Sequence, residues 1–172
     1  MTERSELADA AHWEAVEEAT ELLHEGRFRD ALYVLRDVAK ANPRNPYAYH
    51  FMGVALYELG ELEPARDAYR AATRLAPEYL GARVNLSHVL RQLNDARGAL
   101  AEGQAALRLA PEDGDVFYAV GRAHAAAGNR STAKLYLEAF LKTKPELEAA
   151  VEARQILAVL GGGKGPIDFE DE

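Results

Sequence analysis

Residues 45–78 read NPYAYHFMGVALYELGELEPARDAYRAATRLAPE, and this stretch decides the fold. Asn45-Pro46 is a helix start, because an Asn side chain can cap orphan amides and Pro tolerates the first helical position. Apolar residues follow at helical spacing (Met52, Ala55, Leu56, Leu59) up to Gly60, a natural left-handed terminator. A second start at Glu63-Pro64 opens a stripe of Ala65, Ala68, Tyr69, Ala72 and Leu75, which Pro77 stops. Two helices of about 13 residues joined by a tight turn are predicted. Neither can bury its apolar stripe alone, so the pair requires a neighbour.

The neighbours are written into the rest of the chain. Pro43, Pro77, Pro111 and Pro145 are spaced 34 residues apart, and Gly26, Gly60, Asn94 and Gly128 keep the same interval. So do Ala31, Ala65, Ala99 and Ala133. Three residue classes locked to one period mark a stacked-repeat architecture. Ala19, Gly53, Ser87 and Gly121 occupy one slot of the first helix, where a small side chain lets two helix axes approach closely. Glu18, Gly103 and His124 depart from the pattern. The first suits a solvent-facing terminal repeat. Gly103 suggests loose packing in the C-terminal half, and His124 is expected to sit packed in the core.

Bulk properties narrow the function. The 172-residue chain carries a net charge of -8, distributed as -7 over residues 1–25, +2 over 26–160 and -3 over 161–172. No dense Lys/Arg stripe exists to neutralise a phosphate backbone, so nucleic acid is not an expected partner. Cysteine is absent, which excludes disulfides and thiolate chemistry. No leader-like segment opens the chain and no apolar run reaches membrane-spanning length, so a cytoplasmic location without membrane insertion is expected.

The Leu-Gly pair at 59–60 with Ala65, Tyr69, Ala72 and Pro77 resembles the pattern of the tetratricopeptide repeat (TPR) family, and the likeness extends over residues 12–147 in four repeats. The resemblance implies an all-α, right-handed superhelical stack of antiparallel helix pairs. Residues 1–11 are expected as a helical extension that lengthens the first helix backward. Residues 12–160 would hold the four repeats with a capping helix at 148–160, about nine helices in all, and 161–172 a flexible acidic tail. It also implies a concave groove, lined by the first helix of each pair, that holds an extended peptide or helix of a partner protein. Mapped onto this chain, the groove residues are Tyr47, His50, Tyr57, Asn85, His88, Arg91, Tyr118, Arg122 and Ile156.

Those residue types suit recognition on chemical grounds. Tyrosine presents a large apolar area with a polar tip, Asn pairs with a peptide backbone through both its amide atoms, and Arg holds carboxylates in forked geometry. The expected groove is aromatic toward the first two repeats and basic toward the last two, which fits a partner with an apolar and then an acidic segment. The carboxylate clamp of some co-chaperones in the family is matched only at Asn85. A non-enzymatic adaptor or scaffold is the leading reading. A dedicated chaperone, similar to those of type III secretion translocators, and a subunit that self-associates through helix 1 or the acidic tail are the alternatives. No cofactor or metal site is expected. His50 and His88 could face each other across adjacent repeats, but no third ligand accompanies them. Gly161–Gly165 lacks the spacing of a phosphate loop. The tail residues Pro166–Glu172 could dock on the chain's own groove.

Overall fold

In a computed structural model the described residues are 3–162, and they form ten α-helices and no strand. These are α1 (Glu3–Glu14), α2 (Glu17–His24), α3 (Phe28–Ala41), α4 (Pro46–Glu58), α5 (Leu62–Leu75), α6 (Leu80–Gln92), α7 (Ala96–Leu109), α8 (Gly114–Ala126), α9 (Arg130–Lys142) and α10 (Leu147–Leu160). Hairpins α2–α3, α4–α5, α6–α7 and α8–α9 pack each on the next, and α10 closes the array against α9 and α8.

One backbone device makes all four hairpins. Gly26, Gly60 and Gly128 have φ of 72°, 77° and 78°, and Asn94 has 61°. The amide after each one reaches back to a carbonyl of the last turn: Arg27 to Leu22, Glu61 to Leu56, Asp95 to Leu90 and Asn129 to His124, at 2.8–2.9 Å. Orphan carbonyls at the helix end are thereby satisfied. At the starts, the Asn45 side chain accepts from the amides of Tyr47 and Ala48, Asp95 from Gly98 and Asp113 from Val116. The helix of the second hairpin half begins at Leu62, one residue ahead of the Glu63-Pro64 start read from the sequence.

Packing follows the small-residue slots. Ala31, Ala65, Ala99 and Ala133 are fully buried. A Cβ on Gly53 would lie 2.6 Å from the Tyr69 ring, and one on Gly121 would lie 2.9 Å from Leu137 Cγ. In the α6–α7 hairpin the sizes are redistributed. Ser87 takes the first-helix slot and donates from Oγ to the Ala99 carbonyl at 2.9 Å. Gly103 takes the facing place, with Val120 Cγ2 only 3.2 Å and Ser87 Oγ 3.6 Å from where its Cβ would stand. Gly103 is therefore a close contact between hairpins, and the loose packing expected from it is absent.

Three other expectations change. The first helix does not run unbroken from the N-terminal extension: it breaks at Ala15–Val16, and the count is ten among the described residues instead of nine. Val16 is fully buried there, so the break turns its side chain into the core while α1 swings against α4. Asn45 fastens α1 in that position, its Nδ2 donating to the His12 carbonyl at 2.8 Å. His124 is half-buried instead of in the core, stacked parallel to Tyr136 at 6.0 Å and bonded through Nδ1 to Asn129 Nδ2 at 3.2 Å. Glu18 is exposed, as an end repeat requires. The tail residues Pro166–Glu172 lie outside the described residues.

Candidate functional site

The first helices α4, α6 and α8 contribute most of the walls of a cavity of about 240 Å³, open to solvent and lined by Tyr57, Tyr69, Asn85, His88, Val89, Arg91, Gln92, Tyr118 and Arg122. Six of the nine residues assigned to the groove from the sequence meet here: Tyr57, Asn85, His88, Arg91, Tyr118 and Arg122. They converge because positions three or four apart share one helix face, and neighbouring hairpins bring those faces side by side. Aromatic and basic groups share this one cavity. Tyr57 and Tyr69 come from the second hairpin, Arg91 and Arg122 from the third and fourth, and Tyr118 stands beside Arg122.

The other three lie elsewhere. His50 is buried, 7% exposed, its ring against Phe51, Tyr69 and Tyr79 at 5.0, 5.7 and 4.6 Å. Gly81 lies beside it, and a Cβ there would make ordinary contact with the imidazole at 3.6 Å. It is packing between α4 and the start of α6 and does not reach the cavity. Tyr47 stands at the opposite end of α4, edge-on to Trp13 and Tyr79 at 5.3 Å each, and donates to Asp9 at 2.8 Å. It lines a second recess of about 830 Å³ between α1 and the segment Leu75–Leu80. Ile156, on the capping helix itself, packs on Leu137, Phe140 and Ala153.

Glu152 is the residue of α10 that bonds to two residues lining the first cavity, Tyr118 and Arg122, and the sequence reading missed it. It stands one repeat period after Tyr118, a relation visible in the sequence once the capping helix is kept in register. Tyr69, Gln92 and Val89 were missed as well. Tyr69 belongs to a second helix, where the groove rule did not look, and Gly53 lets its ring come forward.

The polar groups form a chain of contacts. Gln92 Nε2 donates to the Tyr57 hydroxyl at 2.6 Å. The Tyr118 hydroxyl donates to Glu152 Oε2 and accepts from Arg122 Nη1 at 3.2 Å. Arg122 Nη2 pairs with Glu152 Oε1 at 2.8 Å, and its guanidinium lies 5.0 Å from the centre of the Tyr118 ring. Tyr118 itself is stacked on Phe140 at 4.6 Å. Burial and the bond to Glu152 push its phenol up to about 12.

Arg91 is the exception in this network. Its Nε is buried and meets no acceptor among the described residues. Burial and then the neighbouring Arg122 lower its pKa. His88 is pulled down to about 4, first by burial and then by the two arginines, so at neutral pH it is an uncharged ring. Two cations thus share one carboxylate, and a buried donor is left over. Such a site attracts an acceptor carrying negative charge. Among the described residues no group of three His, Asp or Glu side chains is placed to hold a metal ion. Among them too, no helix is long and apolar enough to cross a membrane.

Comparison with known proteins agrees with this architecture. The family model of the tetratricopeptide repeat matches residues 22–86. No curated protein matches by sequence. Among solved structures, MamA residues 41–end from Desulfovibrio magneticus RS-1 superposes with a TM-score of 0.75 at 21% identity, over 88% of this chain and 84% of that one. TTC0263, a thermophilic TPR protein of Thermus thermophilus, gives 0.69 at 25% identity over 87% and 80%. The first TPR of Spaghetti (RPAP3), in a structure with the HSP90 peptide SRMEEVD bound, gives 0.64 at 17% identity over 68% and 93%. The family model places residues 22–86 among tetratricopeptide repeats, and the likeness to these structures shows that the described residues share the TPR solenoid fold.

Proposed function

We propose that the protein is a non-enzymatic adaptor that holds a segment of a partner protein on the face formed by α4, α6 and α8. The single observation that carries this reading is the convergence of Tyr57, Asn85, His88, Arg91, Tyr118 and Arg122 on one open cavity. Large, stiff aromatic rings with polar tips and a buried arginine are the groups that dominate protein recognition energetics. A structural relative of this fold, the first TPR of RPAP3, carries a bound peptide, which supports assigning a peptide to the same kind of surface here. The cavity is smaller than the roughly 300–1,000 Å³ of small-molecule sites, so it fits one side chain of a longer ligand.

The test is affinity capture with the full-length protein beside a Tyr57→Ala/Asn85→Ala variant of verified helicity. The wild type is expected to retain a partner that the variant loses. Identical partner sets for the two proteins would move the recognition surface away from this face.

A further inference from the structure

The cavity contains an imbalance that the adaptor reading does not itself require. Burial and then the nearby Arg122 lower the pKa of Arg91, and burial followed by both arginines lowers that of His88. One carboxylate, Glu152, answers them. It is spent on Arg122 at 2.8 Å and on the Tyr118 hydroxyl. Arg91 Nε remains buried without an acceptor among the described residues, and leaving a charged donor unsatisfied is costly. His88 stays neutral, and Asn85 stands on the same wall as a further donor.

We propose that this cavity is a carboxylate site: an acidic side chain of an extended peptide enters between Arg91 and Arg122, accepts from Arg91 Nε, and competes with Glu152 of the capping helix for Arg122. The inference rests on the groove reading above and deepens it by naming the ligand group. Glu152 is a resident substitute for part of that ligand. Its side chain is 44% exposed while Arg122 is 18% exposed, so the carboxylate has room to swing out to solvent when a second one arrives. The aromatic walls supply apolar contact for the methylenes that carry the entering carboxylate, and the peptide on either side would run along α4 and α8.

The experiment titrates full-length protein labelled with nitrogen-15 with three small probes, following the arginine Nε–H signals by NMR. N-acetylglutamate N-methylamide presents a side-chain carboxylate, N-acetylalanine a main-chain carboxylate, and N-acetylglutamine N-methylamide is the uncharged control. Saturable shifts of the Arg91 and Arg122 signals with the first probe, weakened by added salt and absent with the third, are expected. Tighter response to N-acetylalanine would keep the carboxylate site and assign it to a chain terminus. Glu152→Gln is expected to tighten binding about tenfold by removing a like charge a few ångströms away. Arg91→Gln is expected to abolish it, and Arg91→Lys, which keeps the charge and loses the fork, to weaken it. Equal shifts with glutamine and glutamate, no saturation with either carboxylate, or unchanged affinity in Glu152→Gln would each overturn the proposal. A partner captured through Tyr57 and Asn85 but indifferent to Arg91→Gln would sink the carboxylate and leave the adaptor standing. Carboxylate binding without any groove-dependent partner would do the reverse.

Discussion

Gly53 packs against the ring of Tyr69, so close that a methyl group on it would stand 2.6 Å from two ring carbons. The contact joins the two helices of the second hairpin and sets the position of a ring that also lines the cavity between α4, α6 and α8. Gly53→Ala is expected to destabilise the protein by about 2 kcal/mol, the usual range for overpacking a filled interior. Urea melts should show a lower midpoint with an unchanged slope. The third hairpin allows a control. Gly103→Leu meets Val120 and Ser87, and Ser87→Gly in the same chain should restore only part of the loss, because Val120 still blocks the site. A double-mutant cycle reads that coupling directly.

Asn45 is fully buried and uses its whole amide: the oxygen caps α4 and the nitrogen holds the His12 carbonyl of α1. Asn45→Ala should cost about 2 kcal/mol, a lost cap of about 1 kcal/mol plus a stranded carbonyl of similar size. The sharper signature is local. Amides of α1 should exchange with deuterium much faster than in the wild type, while those of α6 to α9 change little.

His50 is buried and uncharged, with a pKa pulled from 6.5 down to about 4 by burial. As pH falls from 6.5 to 4, the unfolded chain takes up a proton that the folded chain refuses, so stability is lost across that window and is insensitive to this group above it. The full effect is about 3 kcal/mol. His50→Phe fits the aromatic surroundings of Phe51, Tyr69 and Tyr79 and should flatten the decline measured by urea titration across the same window. The remaining slope should include the share of His88, which is depressed in the same direction. An unchanged slope would mean that His50 is accessible to solvent protons.

Asn94 holds the turn conformation that glycine holds in the other three hairpins, with φ of 61°. Asn94→Gly should be close to neutral, its relief of strain offset by a freer unfolded chain. Asn94→Val, β-branched and poorly tolerated at positive φ, should lower the melting temperature and cost about 2 kcal/mol.

Secondary structure and the stacking principle were legible because they rest on local chemistry. A left-handed turn needs Gly or Asn, a helix start needs a cap, and an amphipathic helix needs apolar residues three and four apart. Each signal is contained within a few residues and repeats every 34. Six cavity residues could be named from that register for the same reason. His50 and Ile156 could not be placed correctly, although they occupy regular positions. Whether a side chain on a helix shoulder faces the groove or the next hairpin depends on the tilt and closeness of the two, and neighbours such as Tyr79 for His50 and Phe140 for Ile156 decide it.

The linear order of residues was enough to establish paired helices, four turns of one kind and the small residues where helices touch, since backbone conformation and short-range spacing carry that information. Only the three-dimensional arrangement decided that α1 breaks at Ala15–Val16, that Tyr69 comes forward over Gly53, and that Glu152 answers Arg122 while Arg91 goes without. Those outcomes depend on distances between groups far apart along the chain, and electrostatic pairing and steric fit are set by such distances alone.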